Sequence, residues 1–452
     1  MSYLEQLLKF LTSSYGLIGV FLCLFILAQA NEAHRRQHWF LLTLCGFAAS
    51  LGEYRDQWIK QAPVLAFPLE QLRDAGRPLA VFLLGLLLFI AFKTPKNWRS
   101  VITPKPVIYL TIVQLVILLK SLQFGSIAFA FLSVTTFGTL VLMISQGPSR
   151  WLQDERNFQL AVWSIAMVGI LFAIANLYQA SIDVYPITFV HGLFLGTTGN
   201  PQHAATLLVA TIPCFLFLLQ QPRQSWLIKW FWMAFLGLIV FGLIWTGSRT
   251  GTLSAIVAIL LFYRYRGGQF LRWVLVFAII LVIIVSFMPN DLGLFDLGSS
   301  LNKLSSQSNT REDVWEAQWE AFMNYPIFGQ PFTGDRLRYG ESSWLAAGAA
   351  LGLLGFVPLV LFGLESVKMI RKLDRFAIKC PDYYLHCSVV IAGLVSLLLG
   401  SFTEAYLLAN ITFSLLAILL YQVMGTYLLE LERKGWRHGV GFNRGSSTSI
   451  YE

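Results

Sequence analysis

Two arginines, three acidic or histidine candidates for proton transfer and an asparagine fall on one side of a row of apolar segments. Together they could hold an anion and move a proton beside it. Arg249 lies in "LIWTGSRTGTLSAIVAILLFYRYR" (residues 243–266), between two apolar runs. A helix from Arg249 to Arg264 rises about 22 Å, less than the roughly 30 Å of a bilayer's hydrocarbon core. With Arg264 at one interface, Arg249 lies at or just inside membrane depth. A guanidinium there either snorkels to the headgroups or faces a partner or wet cavity. Arg311 opens "NTREDVWEAQWEAFMNYP" (309–326), which reads as a helix with Thr310 as N-cap, Asp313 three residues on, and Pro326 as stop. The helix dipole disfavours a cation at that end, unless amide N–H groups and guanidinium share an anion. Alternatively, Glu312 and Asp313 neutralise the end and leave Arg311 solvated.

The other candidates flank these two. In "VHGLFLGTTGNPQHAATLLVATIP" (190–213), Asn200 and Pro201 have the chemistry of a helix start. His191 and His203 lie on either side of it. Gly192, Gly196 and Gly199 predict a slim, flexible approach, as a loop dipping toward a site needs. Glu341, in "YGESSWL", could act as a general base or cap the span opened by Ser342 and Ser343. Glu404 completes the polar groups on this side. Trp315, Trp319, Phe322 and Met323 recur at i, i+4, i+7 and i+8 as one aromatic stripe. That helix lies flat in the outer interface, tryptophans down, or packs on the bundle.

The elements that carry these residues are apolar. Of 452 residues, 56% are hydrophobic and 13% charged, with mean hydropathy +0.63. This is an all-α polytopic membrane protein. Spans are expected near 13–30, 38–52, 78–92, 106–121, 124–146, 158–178, 202–220, 227–246, 248–263, 271–289, 343–365, 386–401 and 405–428. The total is about 12–13 transmembrane helices, with one long outer loop (289–342) that holds the flat amphipathic helix. The first apolar run has no cleavage-site pattern and reads as a retained span. Residues 1–178 form N-terminal transmembrane helices, 179–430 the domain that carries the candidates, and 431–452 a disordered cytoplasmic tail.

Alternating the loops places 22 of the 33 Lys and Arg on one face, five of them in "KMIRKLDRFAIK" (368–379). The positive-inside rule makes that face cytoplasmic. The net charge of +9 therefore reflects topology and implies no nucleic-acid partner. The cysteines at 23, 45, 214, 380 and 387 lack disulfide or zinc spacing and read as small hydrophobes. No metal site or cofactor is expected.

Three pieces, in order, resemble the O-antigen ligase/polymerase family, the Wzy/WaaL-like membrane glycosyltransferases (Wzy_C-type). They are "GTTGNPQHAA", "TGSRTG", and "TREDVWEAQWEAFMNYPIFGQPF" with "ESSWLAAGAALGLLGF". The resemblance covers roughly residues 190–365. It implies a GT-C-like enzyme in the bacterial cytoplasmic (inner) membrane, with its active site on the periplasmic side. The donor it implies is an undecaprenyl-diphosphate-linked glycan, transferred with inversion and without metal. The acceptor is another sugar repeat or lipid A core, with membrane lipid and other polysaccharide-assembly proteins as partners. Arg249 and Arg311 match the family's diphosphate-binding arginines; a planar, permanently charged fork suits a diphosphate. Glu341 stands where ligases usually carry a histidine base, and His191 where a basic residue is common. These departures favour a repeat-unit polymerase of O-antigen or exopolysaccharide over a ligase. The rival from another class is a transporter for an anion such as bicarbonate, but no internal symmetry accompanies the outer arginines.

Overall fold

A computed structural model describes residues 36–52, 65–93, 103–124, 127–183, 188, 192–222, 224–264, 311–331, 341–408 and 411–437. The helices are α1 (Arg36–Gly52), α2 (Leu69–Lys93), α3 (Lys105–Phe124), α4 (Ile127–Gln146), the short α5 (Pro148–Trp151) and α6 (Glu155–Ile182). There follow α7 (Pro201–Leu219), α8 (Trp226–Trp245), α9 (Arg249–Tyr263), α10 (Glu312–Asn324), α11 (Ser343–Lys379), α12 (Tyr384–Ser401) and α13 (Phe413–Arg437). Among the described residues, seven helices are long and apolar enough to cross a membrane, eight if the bent α2 counts as one span. The expected spans near 13–30 and 271–289, and the tail after 437, lie outside the described residues.

Several helices open on a short polar residue. Asp154, Asn200, Ser225, Ser248 and Ser342 each accept a hydrogen bond from a first-turn backbone amide of the helix they precede. Each cap satisfies a backbone amide that the first turn of a helix leaves without a partner. Helices α7 and α12 are buried along nearly their whole length and form the centre of the bundle. By contrast α8 turns Trp226, Leu227 and Trp230 outward, the all-round apolar surface of a lipid-facing helix.

Polar contacts collect at the two ends of the long helices. At one end Arg264 pairs with Asp374 at 2.8 Å, His386 approaches Glu155 at 3.5 Å, and Lys379 approaches Glu432 at 3.5 Å. The other end of α9 and α11 holds Arg249, Arg311, Glu341 and Ser343. This division follows the loop alternation read from the basic residues. Helix α11 runs on past residue 365 and takes the basic 368–379 segment with it.

Two boundaries differ from expectation. The span predicted from 405 starts at Phe413, so residues 402–408 are a connection rather than helix. The helix predicted behind a Thr310 cap starts at Glu312, with Arg311 at its N-cap and no side-chain cap bond. Arg311 already has helical φ and ψ, and its side chain is drawn to other partners.

One long helix is broken. At Gly352 of α11 the backbone takes φ 62°, ψ −155°, a region open essentially to glycine alone. Residues 326–330, just after α10, wedge into this break. Leu353 N–H donates to the Pro326 carbonyl at 2.7 Å, and Gln330 N–H to the Ala349 carbonyl at 2.8 Å. A Cβ on Gly352 would lie 2.4 Å from the Ile327 carbonyl oxygen, and one on Gly329 would lie 2.4 Å from the Ala350 carbonyl carbon. The two glycines are what allow the chains so close.

Candidate functional site

The start of α7 and the start of α9 meet through side chains. Ser248 caps α9 through its Oγ, which also donates to Gln202 Oε1 at 2.8 Å. Asn200 caps α7, its side chain accepting from Gln202 N–H at 2.8 Å. Asn200 is thus a helix cap here, one step behind the site. The glycine-bearing approach is slim, as expected, but it is packed rather than loose. Leu193, Phe194, Leu195, Thr197 and Thr198 are buried, and the Phe194 ring stacks on Trp245 at 5.1 Å. Gly196 has φ +60°, and a Cβ there would lie 2.6 Å from the Phe172 ring.

A polar cleft opens between these helix starts and the end of α12. It is narrow and partly open to its surroundings. Its lining includes Gln202 and Thr206 from α7, Ser248, Thr250 and Ser254 from the turn into α9, and Ser396, Thr403, Glu404 and Tyr406 from α12 and the connection after it. Arg249, exposed and the first residue of α9, sits between two of these lining residues. His203 lies half-buried in the first turn of α7 beside Gln202 and outside the cleft wall. His191 lies outside the described residues.

Next to the cleft, Arg311 joins two carboxylates. Its Nη2 donates to Glu404 Oε1 at 2.8 Å, its Nε lies 3.0 Å from Glu341 Oε2, and its Nη1 donates to the Thr403 carbonyl at 2.7 Å. The Arg311 side chain is 14% exposed, Glu404 9% and Glu341 25%. Arg311 is therefore neither solvated nor neutralised by Glu312 and Asp313, which stay exposed. Glu341 is not the cap of α11; Ser342 is, accepting from Leu345 N–H.

Both arginines thus stand at helix starts, where the backbone already presents positive charge. The backbone that carries Glu404 is tied to the start of α11. Ser343 Oγ donates to the Glu404 carbonyl at 2.7 Å, and Trp344 Nε1 donates to Ser401 Oγ at 2.9 Å. Helix α10 rests on α11 through Phe322, whose ring meets Phe356 at 5.6 Å and Gly348. Its aromatic stripe is split. Trp319 and Met323 stay exposed along with Ile327 and Phe328, so the helix packs on the bundle and still offers an apolar edge outward.

Residues 233–360 match the O-antigen ligase family model. The match supports the O-antigen ligase/polymerase family that the three sequence pieces resemble. A search of curated proteins finds no match. The matched stretch holds Arg249, Arg311 and Glu341. It leaves out Asn200, His203 and Glu404, although the fold brings Glu404 into direct contact with Arg311. Sequence reading grouped Glu404 with the other outer-side candidates but gave it no partner. It did not find Gln202, Ser248 or Thr403. Their only signal was polarity at the mouth of apolar helices, which is common at any helix end.

Proposed function

We propose that this protein is a membrane glycosyltransferase that polymerises undecaprenyl-diphosphate-linked repeat units at the outer face of the bacterial cytoplasmic membrane. The observation that carries the reading is the convergence of three separate sequence pieces on one polar cleft. The α7 start, the α9 turn with Arg249, and the Arg311–Glu341–Glu404 cluster all border it or touch its wall. A lipid diphosphate is an anion with a ready leaving group, and fixed guanidiniums at helix starts suit it. The match of residues 233–360 to the O-antigen ligase family model agrees with this.

In the proposed reaction an acceptor hydroxyl oxygen attacks the anomeric carbon of the donor's first sugar. The bond from that carbon to the phosphate oxygen breaks, inverting the centre, and undecaprenyl diphosphate leaves with the electron pair. The hydroxyl proton passes to a carboxylate, for which Glu341 is the candidate. Arg249 and Arg311 stabilise the charge that grows on the leaving diphosphate. Because Arg311 rests on two carboxylates, a diphosphate that reaches it competes with them. Its arrival would free a carboxylate oxygen for the acceptor hydroxyl, which couples donor binding to base availability.

Glu341 in the place of the ligases' histidine favours polymerase over ligase. The test is incubation of purified protein with undecaprenyl-diphosphate repeat units, followed by mass analysis. Long glycans on the lipid are expected. Transfer only to an added acceptor such as lipid A core would make it a ligase, and no consumption would favour the anion transporter.

A further inference from the structure

Lys120 stands near the end of α3, a mostly apolar helix in the N-terminal half, outside the stretch that matches the family model. It is buried, 7% exposed. Its Nζ donates to two backbone carbonyls, those of Phe328 and Ala350. Phe328 belongs to the wedge after α10, and Ala350 to the last turn of α11 before its break at Gly352. Where a helix breaks inside a membrane, its terminal carbonyls lose their partners and no water replaces them. A cation is also the favoured charge at that end of a half-helix. Lys120 answers both needs and at the same time ties the wedge to the half-helix.

The tie matters because of what each side carries. The wedge continues from α10, which begins at Arg311. The half-helix starts at Ser343, two residues after Glu341. The relative position of α10 and α11 therefore sets the 3.0 Å contact between Arg311 and Glu341. The same helix α3 reaches the third part of the cluster. Gln114, buried at 2% exposure, donates from Nε2 to the Leu408 carbonyl at 2.7 Å, in the connection that carries Thr403 and Glu404.

We propose that Lys120 is a positioning residue for the transfer site, fixing the Arg311-bearing helix against the Glu341-bearing one through the Phe328 and Ala350 carbonyls. The inference rests on the glycosyltransferase reading above. It places a determinant of the site in the half of the chain that the family model does not cover. Lys120 touches no substrate in this account; it acts through the backbone.

The test compares full-length wild type, Lys120→Met and Lys120→Arg in lipid nanodiscs, with transfer rate measured per folded molecule. Lys120→Met removes the donors and keeps the apolar stem. A fall in kcat of tenfold or more is expected, with the KM for lipid-linked repeat unit within about threefold because Arg249 is untouched. Lys120→Arg keeps a buried cation with several donors and should recover most of the rate. A merely structural role predicts a lower Tm with unchanged kcat per folded molecule, and that result would overturn the proposal. So would a kcat loss that Lys120→Arg does not relieve. Should wild type transfer nothing, the proposed function falls, and positioning is then read without activity. Spin labels at Glu320 on α10 and Leu345 on the first half of α11 should give a narrow distance distribution in wild type and a broad one in Lys120→Met. The same measurement serves if Lys120→Met folds too poorly for kinetics but Lys120→Arg does not. An unchanged distribution would rule out the staple.

Discussion

Each guanidinium nitrogen of Arg311 lies against a protein oxygen, so its reach for a substrate is a matter of competition. Glu404→Gln removes one competing charge while Glu341 still balances Arg311, and the protein should therefore fold. Donor affinity should rise by about tenfold, or about 1.4 kcal/mol, in a binding titration with lipid-linked repeat unit. Weaker binding would mean that Arg311 does not exchange carboxylate for diphosphate. Arg249→Lys keeps the charge but loses the bidentate fork. Losing one such contact in a transition state costs about 10²–10³ in rate, which the transfer assay would register; near-normal turnover would refute the clamp. Glu341→Gln separates base from cap. Since Ser342 is the cap, thermal stability should hold while transfer falls by roughly two to four orders of magnitude. Wild-type polymer yield from stable Glu341→Gln protein would end its candidacy.

At the scale of elements, the break in α11 decides where α10 goes. A continuous helix through Gly352 would leave no exposed amides at Leu353 for the Pro326 carbonyl to meet. Gly352→Ala forces a side chain into a backbone region that costs about 1–3 kcal/mol, with its Cβ 2.4 Å from the Ile327 carbonyl oxygen. A marked drop in Tm or in folded yield is expected by fluorescence-detected size exclusion. Normal stability would show that the wedge is not fixed this way. Ser342→Ala should behave differently: loss of one cap costs about 1 kcal/mol, with little effect on transfer. The sequence announced the turn at Pro326 and the helix near 343–365, but not that one enters the other. Nothing in the local pattern "LGLLGF" separates a helical glycine from one that breaks the helix.

Among the described residues of the whole molecule, the charged contacts divide between two ends of the bundle, and the division predicts what a reagent outside the cell can reach. In a cysteine-free background, a cysteine at Glu316 should react with a membrane-impermeant thiol reagent in intact cells. One at Lys372 should react only after the membrane is permeabilised. The reverse pattern would invert the topology and move the cleft to the cytoplasmic side, against a periplasmic transfer reaction.

Composition and the spacing of apolar runs were enough for the helical membrane class and for nearly every described span, because burial in lipid demands long apolar helices whatever their neighbours. The bias of Lys and Arg assigns the loops to two faces in the sequence reading, since that is a property of charge along the chain. Arg249 was legible as a candidate because charge at membrane depth is costly and needs a reason, and Arg311 and Glu341 from a cation at a helix start and from the family resemblance. Their partners were not. Arg311 meets Glu404 across 93 residues and Lys120 meets Ala350 across 230, and no local period encodes such pairs. Whether Arg311 faces solvent, an anion or two carboxylates depends on which helix ends pack side by side. That choice belongs to the tertiary structure, where desolvation forces each buried charge to find its partner.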